Sequence, residues 1–241
     1  MIKLINLTKD FKTTLAVNRL NLEVAAGEIY GFIGPNGAGK TTTIRMMGGI
    51  IEPTDGKILI GEIDVSRDPV GAKKIIGFVP DRPFLYEKLT GMEFMKFIAD
   101  LYHVDLRAFS RRSLELLEQF ALLEWKDEII EAYSHGMKQR LIIAAALLHD
   151  PRVMIIDEPM VGLDPEAVRM VRDILKGLAS QNVTVFVSTH TLSLAEDLCD
   201  RIGVIHKGTL LAQGTVAELN LAAKTGEARL EEVFLTLVRE L

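Results

Sequence analysis

The chain has a single cysteine, Cys199, among its 241 residues, so it has neither an intrachain disulfide nor a thiolate cluster for a structural metal. We expect this cysteine to be a small buried apolar group rather than a redox centre. No apolar run approaches the roughly 18 residues that a membrane-spanning helix needs, and the N-terminal segment lacks the apolar core of a signal peptide. These absences predict a soluble, intracellular subunit that depends on another chain for any work across a membrane.

Basic residues are not in excess, because 28 lysines and arginines are balanced against 33 aspartates and glutamates, with a formal net charge of −5. A chain with this charge lacks the electrostatic footprint of a nucleic-acid-binding protein, so no nucleic-acid partner is predicted. Hydrophobic residues at 48% and charged residues at 25% are typical of an ordinary globular protein. The length allows one large domain, or a domain with an inserted lobe.

A complete phosphate-binding loop pattern, G-x-x-x-x-G-K-[ST], occupies residues 34–41. It lies between an apolar run that predicts a strand and a segment that predicts a helix, which is the context that the motif needs. Glycines let backbone N–H groups converge on a phosphate chain, while Lys40 adds positive charge and Thr41 offers a hydroxyl to Mg²⁺. The predicted nucleotide-binding residues of this segment are Gly34, Pro35, Asn36, Gly37, Ala38, Gly39, Lys40, Thr41 and Thr42.

Short apolar runs, typical of parallel strands covered on both faces, alternate with helical patterns in the second half of the chain. One run ends in Asp157 and Glu158, and the next ends in His190. Ligands in open α/β sheets bind beyond the carboxyl ends of the strands, so Asp157 is a candidate for binding Mg²⁺ and Glu158 for activating water. The alternative for this acidic pair is a strand end in solvent. His190 has either a structural role or a hydrogen bond to the γ-phosphate that also holds Glu158.

The N-terminal segments alternate apolar and polar residues, which predicts a small antiparallel sheet. Phe11 is an isolated aromatic residue in the polar stretch between the predicted strands. Its ring either fills the local core or stacks on the adenine of a bound nucleotide, with Val17 nearby.

Helical patterns dominate from Thr90, where Glu93 completes a predicted capping box, to about Tyr133. The stretch lacks strand signals, so we interpret it as an inserted helical lobe. A further capping box is predicted at Ser193 and Glu196. The tail either packs back on its own domain or pairs with a partner, and it carries a stripe at helical spacing formed by Leu230, Val233, Phe234, Leu237, Val238 and Leu241.

Four segments, taken in order, resemble the motifs of an ATP-binding-cassette (ABC) ATPase. They read GPNGAGKTT at 34–42, YSHGMKQR at 133–140, VMIIDEPMVGLDP at 153–165 and STH at 188–190. The serine-glycine segment before the acidic strand is the most specific of them, because other phosphate-loop ATPases and GTPases lack it. The resemblance covers the chain from about Ile2 to Gly214.

This resemblance implies an α/β fold with a phosphate-loop NTPase core, a mainly parallel sheet, an N-terminal antiparallel β subdomain and an inserted α-helical subdomain. The nucleotide-binding domain would span residues 1–220, with the helical subdomain at about 89–150, and a helical tail would follow at 221–241. ATP and Mg²⁺ are the implied cofactors. The implied roles are adenine stacking for Phe11, the magnesium carboxylate for Asp157, the catalytic base for Glu158 and the switch histidine for His190.

The resemblance also implies partners. Two nucleotide domains would close head to tail on two ATP molecules, and a homodimer is expected, with a heterodimer left open. The residues that would reach the nucleotide of the second subunit are Ser134, His135, Gly136 and Asp164. The implied function is the ATPase subunit of a transporter, specifically an exporter whose transmembrane permease is a separate chain. The subunit would lie on the cytoplasmic face of the cell membrane. The alternatives are a soluble member of the same superfamily and a regulatory module without turnover, against which Glu158 and His190 argue.

Some positions depart from the pattern of the family. Asp81 stands where the family usually has glutamine, and it is predicted to bind Mg²⁺ or a water together with Thr41 and Asp157. The serine-glycine motif has His135 in place of a glycine and Met137 in place of a glutamine, and Val161 replaces a common serine. Because the residues that carry the chemistry are retained, the sequence predicts a hydrolytically competent enzyme.

Overall fold

The computed structural model describes residues 1–82, 84–223, 225–226 and 228–239, except for the side chain of Arg239. The strands are β1 (Ile2–Asp10), β2 (Leu15–Val24), β3 (Ile29–Ile33), β4 (Asp55–Ile60), β5 (Ile63–Asp64), β6 (Ile76–Val79), β7 (Val153–Asp157), β8 (Thr184–Thr189), β9 (Arg201–His206) and β10 (Thr209–Gly214). The α-helices are α1 (Lys40–Met47), α2 (Pro69–Lys74), α3 (Gly91–Leu101), α4 (Leu106–Gln119), α5 (His135–Ala146), α6 (Pro165–Ser180), α7 (Leu192–Leu198), α8 (Val216–Ala223) and α9 (Leu230–Arg239). Short 3₁₀ helices cover Leu123–Trp125 and Ile130–Ala132.

The strands of the described ranges form two sheets. The N-terminal sheet is antiparallel, with the order β2-β1-β4-β5. The other sheet has the order β10-β9-β3-β8-β7-β6, in which only β10 runs antiparallel to its neighbour among the strands described. Parallel strands joined through helices and an antiparallel N-terminal sheet confirm the predicted α/β fold.

The central strands β3, β7 and β8 are buried along their whole length, as strands covered on both faces must be. Successive side chains of β7 point to opposite faces, so the strand serves two hydrophobic clusters. Val153 and Ile155 pack with the antiparallel sheet, whereas Met154 and Ile156 pack with the helical region. This alternation fixes the register of the sheet and therefore the direction of the residues that follow each strand.

The helical region begins at the predicted capping box. The Thr90 hydroxyl accepts a hydrogen bond from the Glu93 N–H at 3.2 Å, and the Glu93 carboxylate accepts one from the Thr90 N–H at 2.8 Å. Helices α3, α4 and α5 then pack into the cluster that also covers one face of the sheet. The limits of the helical subdomain, about 89–150, stay a prediction.

Helix α7 does not begin at the predicted capping box. Thr191 is its N-cap residue, and no side-chain cap bond forms there, so the prediction for Ser193 and Glu196 is wrong. The reason lies in the preceding strand, because the Thr191 N–H donates to the Thr189 hydroxyl at 3.1 Å. This contact turns the chain into the helix before residue 193 is reached.

The C-terminal helices pack back on their own domain. Leu219, Leu230 and Val233 share a buried cluster with Ile33 of the central sheet. Helix α8 runs through the predicted boundary between residues 220 and 221, so the tail does not begin as a separate element at 221. Leu241, the last residue of the predicted apolar stripe, lies outside the described residues. In the part of the chain described, every helix falls short of the length and apolarity needed to cross a membrane.

Candidate functional site

A cavity of about 590 Å³ lies where β3, β7 and β8 end at their carboxyl edges. The loop from β3 to α1 forms one wall through Asn36, Gly37 and residues 39–42. Asp157, Glu158 and His190 form another wall, together with Asp81 from the segment after β6. The structure therefore brings together the phosphate loop and the polar strand ends that the sequence predicted for one site.

The loop has a backbone that only glycine accommodates easily. Gly39 has φ 106°, and a β-carbon there would lie 2.4 Å from the Ala16 carbonyl oxygen, so any side chain would collide with backbone. Gly37 has φ 79°. Helix α1 begins directly after Gly39, so its unpaired N–H groups point towards the cavity that the loop surrounds.

Lys40 lies folded into the loop with its ammonium group on backbone carbonyls. Its Nζ donates to the Gly34 oxygen at 2.6 Å and to the Pro35 oxygen at 3.2 Å. Burial lowers the pKa of Lys40, and the nearby carboxylates of Glu158 and Asp157 act in the opposite direction. Gly34 and Pro35 thus support the lysine rather than line the cavity, and Ala38 is buried beneath the loop.

Thr41 and Asp157 form the pair that the sequence predicted to hold Mg²⁺. The Thr41 hydroxyl donates to Asp157 Oδ2 at 2.9 Å. Burial raises the pKa of Asp157, and the neighbouring carboxylates of Asp81 and Glu158 raise it further, while the Thr41 hydrogen bond opposes them. The atoms that would bind the cation are all oxygens, the ligand type that Mg²⁺ prefers. A cation here would also relieve the repulsion among the carboxylates. The residues therefore fit a magnesium site.

The carboxylate of Glu158 is held by the end of β8. The His190 backbone N–H donates to Glu158 Oε1 at 3.0 Å, and His190 Nδ1 lies 2.6 Å from the same oxygen. A carboxylate oxygen can only accept, so Nδ1 carries the proton and donates. Glu158 has φ 53°, and its side chain is only 12% exposed. Glu158 and His190 therefore already form the pair that the sequence anticipated.

Phe11 and Val17, the two residues predicted to lie near the adenine, have opposite environments. Phe11 is 49% exposed in a turn, with Lys9 Nζ 5.1 Å from its ring centroid, and it belongs neither to the core nor to the cavity wall. Val17 is wholly buried in the core beside the antiparallel sheet, so its side chain has no surface to offer a nucleotide. The expectation for Val17 needs correction, because β2 turns its side chain inward, whereas adenine stacking by Phe11 stays a prediction.

Sequence reasoning missed another part of the cavity wall. It is formed by the start of β2 and by the turn between β9 and β10, through Thr14, Leu15, Ala16 and Lys207. The turn reaches the site because the Gly208 N–H donates to the Ala38 oxygen at 2.8 Å, and the Asn18 N–H donates to the Gly208 oxygen at 2.8 Å. These contacts join segments far apart in the chain, so no local sequence pattern predicts them.

The serine-glycine segment lies outside the cavity of its own chain. Ser134 caps α5, and its hydroxyl accepts from the Met137 N–H at 3.2 Å. His135 packs against Gly162, where a β-carbon would come within 2.2 Å of the His135 ring. Asp164 caps α6 and accepts from the Ala167 N–H at 2.8 Å. None of these residues, nor Gly136, lines that cavity.

A phosphate loop between a parallel strand and a helix, with carboxylates at the end of a neighbouring strand, is the arrangement of a phosphate-loop NTPase. The family model described as ABC transporter matches residues 17–161, which is more than half of the chain. The chain therefore belongs to the ABC transporter ATP-binding family.

Individual relatives agree with this assignment. The linearmycin resistance ATP-binding protein LnrL of Bacillus subtilis (strain 168) is 34% identical over 247 positions, covering 100% of this chain and 79% of LnrL. A solved ATP-binding subunit of an ABC transporter is 31% identical, with a TM-score of 0.93 and 99% of both chains covered. The ATP-binding cassette MJ0796, solved as a dimer after hydrolysis with ADP and Pi, is 28% identical with a TM-score of 0.82, covering 90% of this chain and 99% of that one.

These findings establish the activity of the chain in outline. It is an ATP-binding and ATP-hydrolysing subunit of an ABC transporter. ATPase domains of this family dimerise and work with transmembrane permease subunits.

Proposed function

We propose that ATP binds in the cavity of about 590 Å³ with its phosphates on the loop from Asn36 to Thr42. The N–H groups at the start of α1 and the ammonium group of Lys40 neutralise the phosphate charge. Thr41 and Asp157, with Asp81 at the same edge, would hold Mg²⁺, which would supply positive charge to the phosphates. Lys40 leaves the Gly34 and Pro35 carbonyls when it takes up a phosphate oxygen.

The hydrogen-bonded pair of Glu158 and His190 is the single observation that carries this proposal. Glu158 acts as the base that accepts a proton from the attacking water. His190 orients this carboxylate through Nδ1, and its other ring nitrogen, Nε2, can donate to a γ-phosphate oxygen when both ring nitrogens carry a proton. A carboxylate held in this way beside a phosphate loop supports hydrolysis rather than nucleotide binding alone.

A second, identical copy of the chain completes each site. Ser134 and His135 are exposed and Gly136 is half-buried where α5 begins, so the N–H groups there can bind a negatively charged phosphate of the partner's ATP. Asp164 lies close in sequence to Gly162, against which His135 packs, so the same face presents both segments. Closure of two copies on two ATP molecules and their separation after hydrolysis would be the power stroke.

The membrane subunit is a separate chain, and the process that it carries out is export, as the resistance function in the name of LnrL suggests. The ATPase binds it from the cytoplasmic face, where ATP is available. The exposed Phe84 and Tyr86 form an aromatic cluster with the half-buried Phe97, and this cluster offers a docking surface. Phe84 is 78% exposed, and the ring centroids of Phe84 and Tyr86 are 5.4 Å apart. Exposed aromatic residues of this kind are typical anchors at interfaces.

Mixing two inactive variants tests the two-copy site. Lys40→Met removes the phosphate contact of its own loop, while Ser134→Asp keeps a good helix cap but repels the phosphate of the partner's nucleotide. Each variant alone is expected to hydrolyse ATP at less than about a tenth of the wild-type rate. A mixed dimer contains one site with an intact loop and an intact Ser134, so the mixture should regain activity above the sum of its components.

The neutral variant Ser134→Asn is the matched control, because it caps the helix without the negative charge. It should retain clearly more activity than Ser134→Asp. An additive mixture at every ratio, with both variants folded, would contradict completion of the site by a second copy.

The docking surface is tested by Phe84→Ala, which removes the most exposed ring of the cluster. We expect co-purification of a multi-span membrane protein from detergent extracts to fall about tenfold or more, as for loss of an aromatic interface anchor. ATP hydrolysis by the isolated subunit should stay unchanged, since Phe84 does not line the nucleotide cavity. Leu221→Ala on α8 is the control, because Leu221 is 80% exposed on a different element. Equal capture by both variants would contradict the proposed surface.

A further inference from the structure

The register of the central sheet places Thr189 beside Glu158. In the parallel pairing of β7 with β8, Asp157 is opposite Ser188, so the next residues of the two strands are neighbours. The Glu158 N–H donates to the Ser188 oxygen at 2.8 Å, which holds the backbone of the two strand ends together. The contact between Glu158 and Thr189 is therefore set by strand pairing rather than by a flexible loop.

The hydroxyl of Thr189 has a fixed direction. The Thr189 side chain is buried, with only 1% of the residue exposed. Its Oγ1 accepts from the Thr191 N–H at 3.1 Å and donates to Glu158 Oε2 at 3.0 Å. A hydroxyl has one proton to donate, and the N–H of Thr191 occupies one of its lone pairs, so the proton points at Glu158.

The two oxygens of the Glu158 carboxylate are held by different residues. His190 holds Oε1 through its backbone N–H and its ring, while Thr189 holds Oε2. Contacts to one oxygen leave the carboxylate free to rotate about its final carbon–carbon bond, whereas contacts to both oxygens fix its plane. The plane decides which lone pair faces the attacking water.

We propose that Thr189 is a positioning residue that fixes the carboxylate plane of Glu158 for attack on ATP, an inference that rests on the proposed role of Glu158 as base. Thr189 does not line the nucleotide cavity, so it acts through its hydrogen bond to Glu158. Its removal affects the chemical step rather than ATP binding, because the phosphate loop is on the other side of the cavity.

Thr189→Val tests the proposal, because valine keeps the shape of threonine and removes the hydroxyl. We expect kcat for ATP hydrolysis to fall about 10- to 100-fold, the range that follows from misplacing a catalytic group. The KM for MgATP should stay within about twofold of the wild-type value, since nucleotide binding is untouched. Thr189→Ser restores the hydroxyl and should recover most of kcat.

Thr184→Val is a matched control on the same strand. The Thr184 hydroxyl is also buried, donates to the Ala25 oxygen at 3.0 Å and accepts from the Gly27 N–H at 3.2 Å. It lies at the start of β8, away from the cavity, so its loss should lower the melting temperature and leave kcat unchanged. If Thr184→Val lowers kcat as much as Thr189→Val, the effect of Thr189 is structural and the proposal is overturned.

The Glu158→Gln background separates this proposal from the proposed function. If Glu158→Gln retains wild-type turnover, the proposed base is wrong; if it abolishes turnover while Thr189→Val stays within twofold of wild-type kcat, only the positioning role is wrong. Where Glu158→Gln leaves a measurable residual rate, adding Thr189→Val should lower it by less than about twofold, because the group that Thr189 positions is already gone. A further loss equal to that in the wild-type background overturns the positioning role.

Should Thr189→Val not fold, Thr189→Ser and Thr189→Ala can be compared instead, because these two variants differ only in the hydroxyl. Equal kcat values for this pair also overturn the positioning role.

Discussion

Glu158→Gln should lower kcat for ATP hydrolysis by about 10²- to 10⁴-fold, the usual contribution of a positioned general base. Glutamine has the shape of glutamate but cannot accept a proton from water. The hydrogen bonds that Glu158 accepts from His190 and Thr189 involve both carboxylate oxygens, and an amide can retain only those at its single oxygen. The measurement is phosphate release at saturating MgATP.

Binding of MgATP should survive this substitution, because the loop and Lys40 are unchanged. Glu166→Gln is a suitable control, since Glu166 is an exposed residue of α6 that lies outside the cavity wall and should have turnover within about twofold of the wild type. Full turnover in Glu158→Gln would show that another group accepts the proton.

Lys40→Met is expected to weaken MgATP binding by about 100-fold or more, the range for truncating one member of a buried charge pair. The methionine side chain keeps most of the length and removes the charge. Lys40 is almost wholly buried and donates to the Gly34 and Pro35 carbonyls, so its ammonium group is already inside the loop that receives the phosphates. Titration with MgATP by calorimetry gives the affinity directly.

Lys207→Met provides a comparison within the same cavity. Lys207 lines the wall at the turn between β9 and β10 but is exposed, so solvent screens its charge. Its loss should weaken binding by no more than about fivefold. Equal losses in both variants would mean that net charge in the cavity, rather than the contact of Lys40 with phosphate, determines affinity.

The phosphate loop was predictable because its chemistry is local. Glycines, Lys40 and Thr41 are contiguous, and the left-handed backbone at Gly37 and Gly39 is what the pattern requires. The strand ends were predictable for a different reason. Buried parallel strands align their carboxyl ends, so Asp157, Glu158 and His190 had to reach the same edge of the sheet.

Other parts of the site depended on contacts that a single sequence does not reveal. An isolated aromatic residue gave no direction for its ring, and Phe11 in fact lies in an exposed turn, whereas the inward face of β2 takes Val17 into the core. Lys207 reaches the cavity only because its turn pairs with β2 and with the loop. Thr189 was visible as part of an STH segment, but its hydrogen bond to Glu158 follows from strand register.

The folded chain explains one substitution in the serine-glycine segment. His135 stands where the family commonly has glycine, and its ring covers Gly162, which has φ 76°. The His135 ring occupies the space that a side chain at position 162 would need, so the two positions cannot both carry a side chain there. The sequence showed the substitution, while its partner became apparent only once α5 and the segment before α6 were placed side by side.

The mass of the Glu158→Gln variant in solution, measured by light scattering with and without MgATP, shows whether two copies close on shared nucleotide. One chain has a mass of 26.7 kDa. Because ATP is bound but not hydrolysed, we expect about twice this mass with MgATP, a return to the single-chain mass with ADP, and no increase when Ser134→Asp is added. A variant that binds MgATP tightly and keeps the single-chain mass would contradict closure of two copies on shared nucleotide.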